Sequence, residues 1–164
     1  MKVLTEGEWL QRMAAYCTSS ERCPEEVRLK LHESGMPEEL VRHIITRLIE
    51  EKFIDEARYC RSFVNDKLRL NRWGRIKIAI ELRHRRLPVP LIADSLASID
   101  TEEYEAILIS VLKEKSKTVR GRDAREHYYK LLRFATSRGF ESAIVGTCLR
   151  SLGVSFYDDE TTVA

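Results

Sequence analysis

Arginine is the side chain whose spacing in this sequence could do chemistry. Between Phe53 and Leu87 stand ten Lys/Arg against four Asp/Glu, whereas residues 1–52 and 88–164 each hold two more acids than bases. The net charge of +2 is therefore the surplus of a central fifth of the chain. On a helical step of about 100° per residue, Arg58, Arg61, Asn65, Arg69 and Arg72 fall within an arc of about 80°. Ala57, Tyr59, Cys60, Phe63, Val64, Leu68 and Leu70 fall on the other half. If one helix runs from Asp55 to about Arg72, this stripe is roughly 20 Å long. A row of guanidiniums suits an extended anion, either phosphates or a carboxylate-rich protein surface; a solvated helix face is the plainer alternative.

Other chemistries lack their residues. Cys17, Cys23, Cys60 and Cys148 have no C-x-x-C spacing, which argues against a zinc site and against a disulfide framework. Cys17, Cys60 and Cys148 occupy apolar helix positions and read as small buried hydrophobes, in keeping with a reducing compartment. His32, His43, His84 and His127 have no second ligand at helical spacing. There is no G-x-x-x-x-G-K-S/T, G-x-S-x-G or G-x-G-x-x-G, and no carboxylate cluster shares a face with a histidine. Neither an enzyme nor a cofactor is expected, and binding is what remains.

The elements that must hold the arginines are helices throughout. Thr5 and Glu8 form a capping box, flanked by Leu4 and Trp9 as a hydrophobic staple, ahead of a first helix over about residues 6–18. Pro24 suits the first position of a second helix that stops near Gly35, and Pro37 opens a third with Leu40, Val41, Ile44, Ile45, Leu48 and Ile49 inward. Asp55 caps the basic helix, and Gly74 marks a break. In the fifth helix Ile76, Ala79, Ile80 and Leu82 are expected to face the core, with Lys77, Glu81 and Arg85 as a self-neutralising solvent ladder. Leu87-Pro88 opens a sixth helix. Asp100 with Glu103 caps a seventh, a basic connection over residues 113–122 leads to an eighth over about 124–138, and a ninth runs to Gly153.

These nine helices repeat one plan. Leu31, Met36, Leu40 and Val41 superpose on Leu82, Leu87, Leu91 and Ile92 at a shift of 51, and Gly35, Met36, Leu40 and Val41 on Gly139, Phe140, Ile144 and Val145 at a shift of 104. The expectation is an all-α chain of three tandem three-helix repeats, 1–54, 55–99 and 100–153, stacked as an elongated, curved solenoid, with a disordered acidic tail over 154–164. No apolar run approaches the roughly 18 residues of a membrane span, and the start lacks a secretory signal, so a cytoplasmic monomer away from membranes is expected.

The segment FIDEARYCRSFVNDKL, followed by NRWGRIKIAIEL, resembles the central block of the RecX family. An acidic residue ends a short turn (Asp55), an aromatic pair follows (Tyr59, Phe63), then a basic run into a glycine (Arg69 to Gly74), then Ile76 and Leu82. A weaker likeness continues from about Trp9 to Leu152. One departure is Arg85-Arg86, where the family has Lys-Gly, which puts a left-handed helix cap in question. The resemblance implies a regulatory protein of DNA repair, recombination and the SOS response. Such a protein binds the filament of RecA on single-stranded DNA and inhibits strand exchange and ATPase activity. Arg58, Arg61, Arg69, Arg72, Trp73, Arg75, Arg83 and Arg86 would be its contact residues. Trp73 could instead wedge two helices, which is the commoner role of a tryptophan at a helix junction. Composition alone implies only an anionic partner, and a general nucleic-acid-binding helical domain that acts without RecA is the alternative.

Overall fold

The computed structural model describes residues 3–155; the tail expected to be disordered falls, from residue 156 onward, outside the described residues. Among the described residues the secondary structure is nine α-helices and no strand. They run α1 (Glu6–Ser19), α2 (Pro24–Glu33), α3 (Glu38–Glu50), α4 (Glu56–Arg69), α5 (Arg75–His84), α6 (Val89–Ala97), α7 (Thr101–Ser116), α8 (Ala124–Ser137) and α9 (Ser142–Ser151). None is long and apolar enough to cross a membrane.

Local chemistry sets the boundaries. The Thr5–Glu8 capping box is formed, with Glu8 N donating to Thr5 Oγ1 at 3.2 Å and Thr5 N donating to Glu8 Oε2 at 2.7 Å. Asp100 caps α7 through Glu103 N at 3.0 Å, but the Glu103 carboxylate is turned to Arg69 instead of back to the cap. Asp123 caps α8 through Glu126 N, a signal the sequence reading passes over. At the other ends, Gly35, Arg86 and Gly139 close α2, α5 and α8 with φ of 79°, 57° and 95°. They lie at the spacings of 51 and 104 at which the sequence repeats. The left-handed cap put in question by Arg85-Arg86 is thus formed by an arginine, because Leu87, 4% exposed, anchors the chain that follows it.

The described residues fold as two compact units, 3–63 with 82–95 and 64–81 with 96–155, so α4 and α5 each contribute to both. In the first unit α1 and α2 pack on α3. Its core is Met13, Cys17, Val27, Leu31, Met36, Val41, Ile44, Leu48 and Ile54, with Trp9, Tyr16 and Phe53 at the margin. In the second, α7, α8 and α9 pack on one another around Tyr104, Leu108, Leu112, Leu131, Phe140, Val145 and Leu149. Tyr104 and Phe140 touch at 5.3 Å between ring centres. All four cysteines are buried, Cys23 included, and burial pushes the thiols of Cys17 and Cys23 up to about 11.

Three expectations about faces are overturned. α4 ends at Arg69, three residues short of the expected Arg72, so Leu70 is 79% exposed instead of facing the core. In α5 the buried residues are Ile78, Ala79 and Leu82, while Ile76 and Ile80 are 49% and 42% exposed and Lys77, Glu81 and Arg85 are half-buried. Apolar residues surround α5, so periodicity could not choose a face. Long stems on aromatic rings decide it: Lys77 Nζ lies 4.4 Å from the Trp73 ring and the Arg85 guanidinium 4.8 Å from Phe63. Ile49, expected inward on α3, is likewise 43% exposed.

Candidate functional site

The arginine stripe on α4 holds for Arg58, Arg61 and Arg69, which share the helix. Arg72 leaves it: past the helix end, with φ 55°, it lies in the turn to α5. The apolar half of α4 is buried as the spacing requires, with Tyr59, Cys60, Phe63, Val64 and Leu68 all at 9% exposure or less. Tyr59 stacks on Phe63 at 5.9 Å and donates its hydroxyl to Glu26 Oε1 at 2.5 Å; burial, then that bond, pushes its phenol well above the ordinary tyrosine range.

Four of the arginines are already engaged with carboxylates from outside the basic block. In the first unit, Arg58 Nε donates to Glu21 Oε1 at 2.5 Å, and its guanidinium also meets the carbonyl oxygens of Lys52 and Phe53 at 3.3 to 3.4 Å. Arg58 therefore ties down the carbonyl end of α3, where a cation is favoured. In the second unit, Arg69 grips Glu103 through Nε at 2.7 Å and Nη2 at 3.3 Å. That grip holds the Glu103 carboxyl below the usual carboxylate range. Arg72 Nη1 lies 2.5 Å from Glu114 Oε2. Arg75 is the most deeply set: Nη1 meets Glu141 at 2.9 Å, the guanidinium lies 3.8 Å over the Tyr104 ring, and Tyr104 donates its hydroxyl to the same Glu141. Arg75 and Arg58 thus work as internal fasteners.

The rest of the expected set is open to solvent. Arg61 and Arg83 are exposed and form no ion pair among the described residues, and the Arg86 side chain is 74% exposed, with Nε 4.0 Å from Glu25. Trp73 is half-buried, with Lys67 Nζ 4.8 Å and Lys77 Nζ 4.4 Å from its ring, so cations already occupy the surface a base would use. Beside Arg72 the second unit forms a cleft of about 250 Å³ whose cationic lining is Arg72, Lys115 and Arg138, with Phe134 between α7 and α8. In the sequence Lys115 reads only as one base of the connection over residues 113–122. Nothing singles out Phe134 and Arg138 except their i, i+4 spacing, with Arg138 capping the end of α8. Among the described residues no group of three His, Cys, Asp or Glu could hold a metal ion.

This geometry coincides with a family signature. Residues 55–96 match the model described as RecX, second three-helix domain, a span that contains all ten bases of the basic block. The chain is similar to regulatory protein RecX of Clostridium perfringens (strain 13 / Type A), 26% identical over 129 residues that cover 77% of this chain and 60% of that protein. It is also similar to regulatory protein RecX of Prosthecochloris aestuarii (strain DSM 271 / SK 413), 25% identical over 143 residues that cover 87% of this chain and 92% of the relative. The chain spans about 60% of the length of the clostridial relative, and nearly all of the other. Its fold is that of the crystal structure of RecX from Lactobacillus salivarius, with a TM-score of 0.81 at 18% identity over 92% of this chain and 97% of that one. Residues 55–96, with the aromatic pair and the basic block, thus match the second three-helix domain of RecX, and the chain is similar to RecX regulatory proteins in sequence and to a RecX crystal structure in fold.

Proposed function

We propose that this protein binds the filament that RecA forms on single-stranded DNA and inhibits its recombinase and ATPase activities, and so modulates DNA repair and recombination. The observation that carries this reading is the coincidence of the RecX-matched span with the positive surplus of the chain. The filament is an extended polyanion, and the exposed cations along this span meet it without first giving up a buried partner. Arg61 and Arg83 are available outright. Arg69 is available by exchange: its side chain is 57% exposed and its link to Glu103 is of the weak, solvent-screened surface kind. A filament presents the same surface many times, so several weak contacts add through effective concentration. The protein acts by occupation and not by chemistry of its own.

The test is RecA's DNA-dependent ATPase at substoichiometric amounts of this protein. The wild-type chain inhibits; the triple change Arg61→Glu, Arg69→Glu, Arg83→Glu weakens inhibition at least tenfold while the helical circular dichroism stays intact. Arg58 is left out because its loss would loosen the end of α3. An ATPase that the wild-type chain does not slow removes the proposal, and a triple variant that inhibits as before moves the contact surface elsewhere.

A further inference from the structure

The cleft between α7 and α8 is built differently from the α4 face. Its three cations come from three places in the sequence and are held around one space: Arg72 from the turn after α4, Lys115 from the last turn of α7, and Arg138 from the end of α8. Phe134 fixes two of them, with Lys115 Nζ 4.5 Å and the Arg138 guanidinium 5.1 Å from its ring centre. Long cationic side chains normally lose much freedom on binding an anion, and heads already parked on an aromatic ring lose less. Arg138 spends one Nη1 hydrogen on the carbonyl of Asn71 at 3.4 Å, a long bond that leaves most of its fork unused.

One carboxylate sits among these cations. Glu114 meets Arg72 at 2.5 Å, yet its own side chain is 69% exposed and that of Arg72 41%. An ion pair so open to water is weak and can exchange its anion. The chain that leaves the cleft at Thr118 carries a short basic track, Arg120 and Arg122, both exposed and without an ion pair among the described residues, whereas Lys113 and Lys117 stand on the far side of α7. A single small anion would use the cleft and ignore that track, whereas a strand with one phosphate per nucleotide uses both.

We propose that this cleft is a phosphate-binding site for a strand of single-stranded nucleic acid, and that Glu114 is its resident competitor, giving up Arg72 when a phosphate enters. The inference rests on the filament reading only for the sign of the partner's charge. It concerns a site outside the α4 face, and Arg72 is the sole residue of the expected contact set that lines it.

The experiment is fluorescence anisotropy of a short labelled oligothymidylate with the full chain. Arg138→Gln weakens binding about tenfold, the scale of a lost charge-assisted hydrogen bond. Glu114→Gln tightens it several-fold, a gain that misfolding cannot produce. Glu102→Gln is the control: it removes the same charge from an exposed position on α7 that forms no ion pair among the described residues, and it moves binding less. The proposal is overturned if Glu114→Gln gains no more than Glu102→Gln, or if Arg138→Gln and Arg72→Gln both bind like the wild type. It is equally overturned if poly-glutamate displaces the oligonucleotide as well as unlabelled oligothymidylate does, which would make the partner an acidic protein, or if thymidine monophosphate does, which would make it a free nucleotide. Loss of RecA inhibition with these oligonucleotide results intact would remove the filament reading and keep the cleft; the reverse pattern would do the opposite.

Discussion

Arg86 holds a backbone conformation that ordinarily belongs to glycine. Its φ of 57° lies in the left-handed region, where an L side chain costs about 1–2 kcal/mol. The cap forms because its bonds are worth more: Arg86 N donates to Arg83 O at 2.9 Å and Leu87 N to Leu82 O at 3.3 Å, leaving Leu87 buried. The guanidinium recovers little, since its nearest carboxylate, Glu25, is 4.0 Å away and already bound by Arg28 through two hydrogen bonds that hold it below the usual carboxylate range. Arg86→Gly is therefore expected to stabilise the protein by about 1 kcal/mol, less the entropy that glycine restores to the unfolded chain. Urea unfolding would show this as a higher midpoint at unchanged slope. A lower midpoint would mean that the Glu25 contact outweighs the backbone strain. The sequence signalled this site, because a missing glycine is visible; it could not signal that Leu87 would enforce the turn regardless.

At the scale of elements, what could be read was what periodicity and caps determine. The nine helices, the buried half of α4 and the left-handed ends at Gly35, Gly139 and Gly153 follow from spacing alone. The turned face of α5 did not, because its five apolar residues surround the helix, and the rings that draw Lys77 and Arg85 inward belong to other elements. Gly74 shows the same limit. It reads as a helix break, yet its role is spatial: a Cβ there would stand 2.3 Å from the backbone of Gly139 and Phe140. The two segments meet so closely because Gly74 N donates to Arg138 O at 2.8 Å and Ile76 N to Gly139 O at 3.0 Å. Amides at the start of α5 thereby satisfy carbonyls at the end of α8. Gly74→Ala is expected to cost about 3 kcal/mol or more, since backbone has to move to admit the methyl. Gly35→Ala, with open space around it but φ of 79°, is expected to cost about 1 kcal/mol. Thermal unfolding of the two variants checks the order, and equal losses would mean that the contact between α5 and α8 relaxes freely.

Across the whole chain, charge is segregated along the sequence and rejoined by folding. The flanks are acidic and the centre basic, and Arg58, Arg69, Arg72 and Arg75 take their partners Glu21, Glu103, Glu114 and Glu141 from those flanks. No local pattern could have foretold these pairs, which join residues 34 to 66 apart in the second unit. The count of arginines in the sequence therefore overstates the field the protein presents, and binding to an anionic partner becomes an exchange. An arginine that moves from an internal carboxylate to a phosphate still releases the cation condensed on that phosphate, so the contact counts fully toward salt dependence. Its gain in affinity, however, is reduced by the pair it leaves. Neutralising the internal partner should then raise affinity at every salt concentration and leave the slope alone, while removing the arginine should change both. The pair to use is Arg69–Glu103. With RecA's ATPase as readout, Glu103→Gln is expected to lower the half-inhibiting concentration several-fold at a constant salt slope. Arg69→Gln is expected to raise that concentration and flatten the slope by about 0.7 log units per decade of salt. If Glu103→Gln leaves the midpoint where it was, Arg69 stays with its own protein during inhibition, and the filament is met by Arg61 and Arg83 without it.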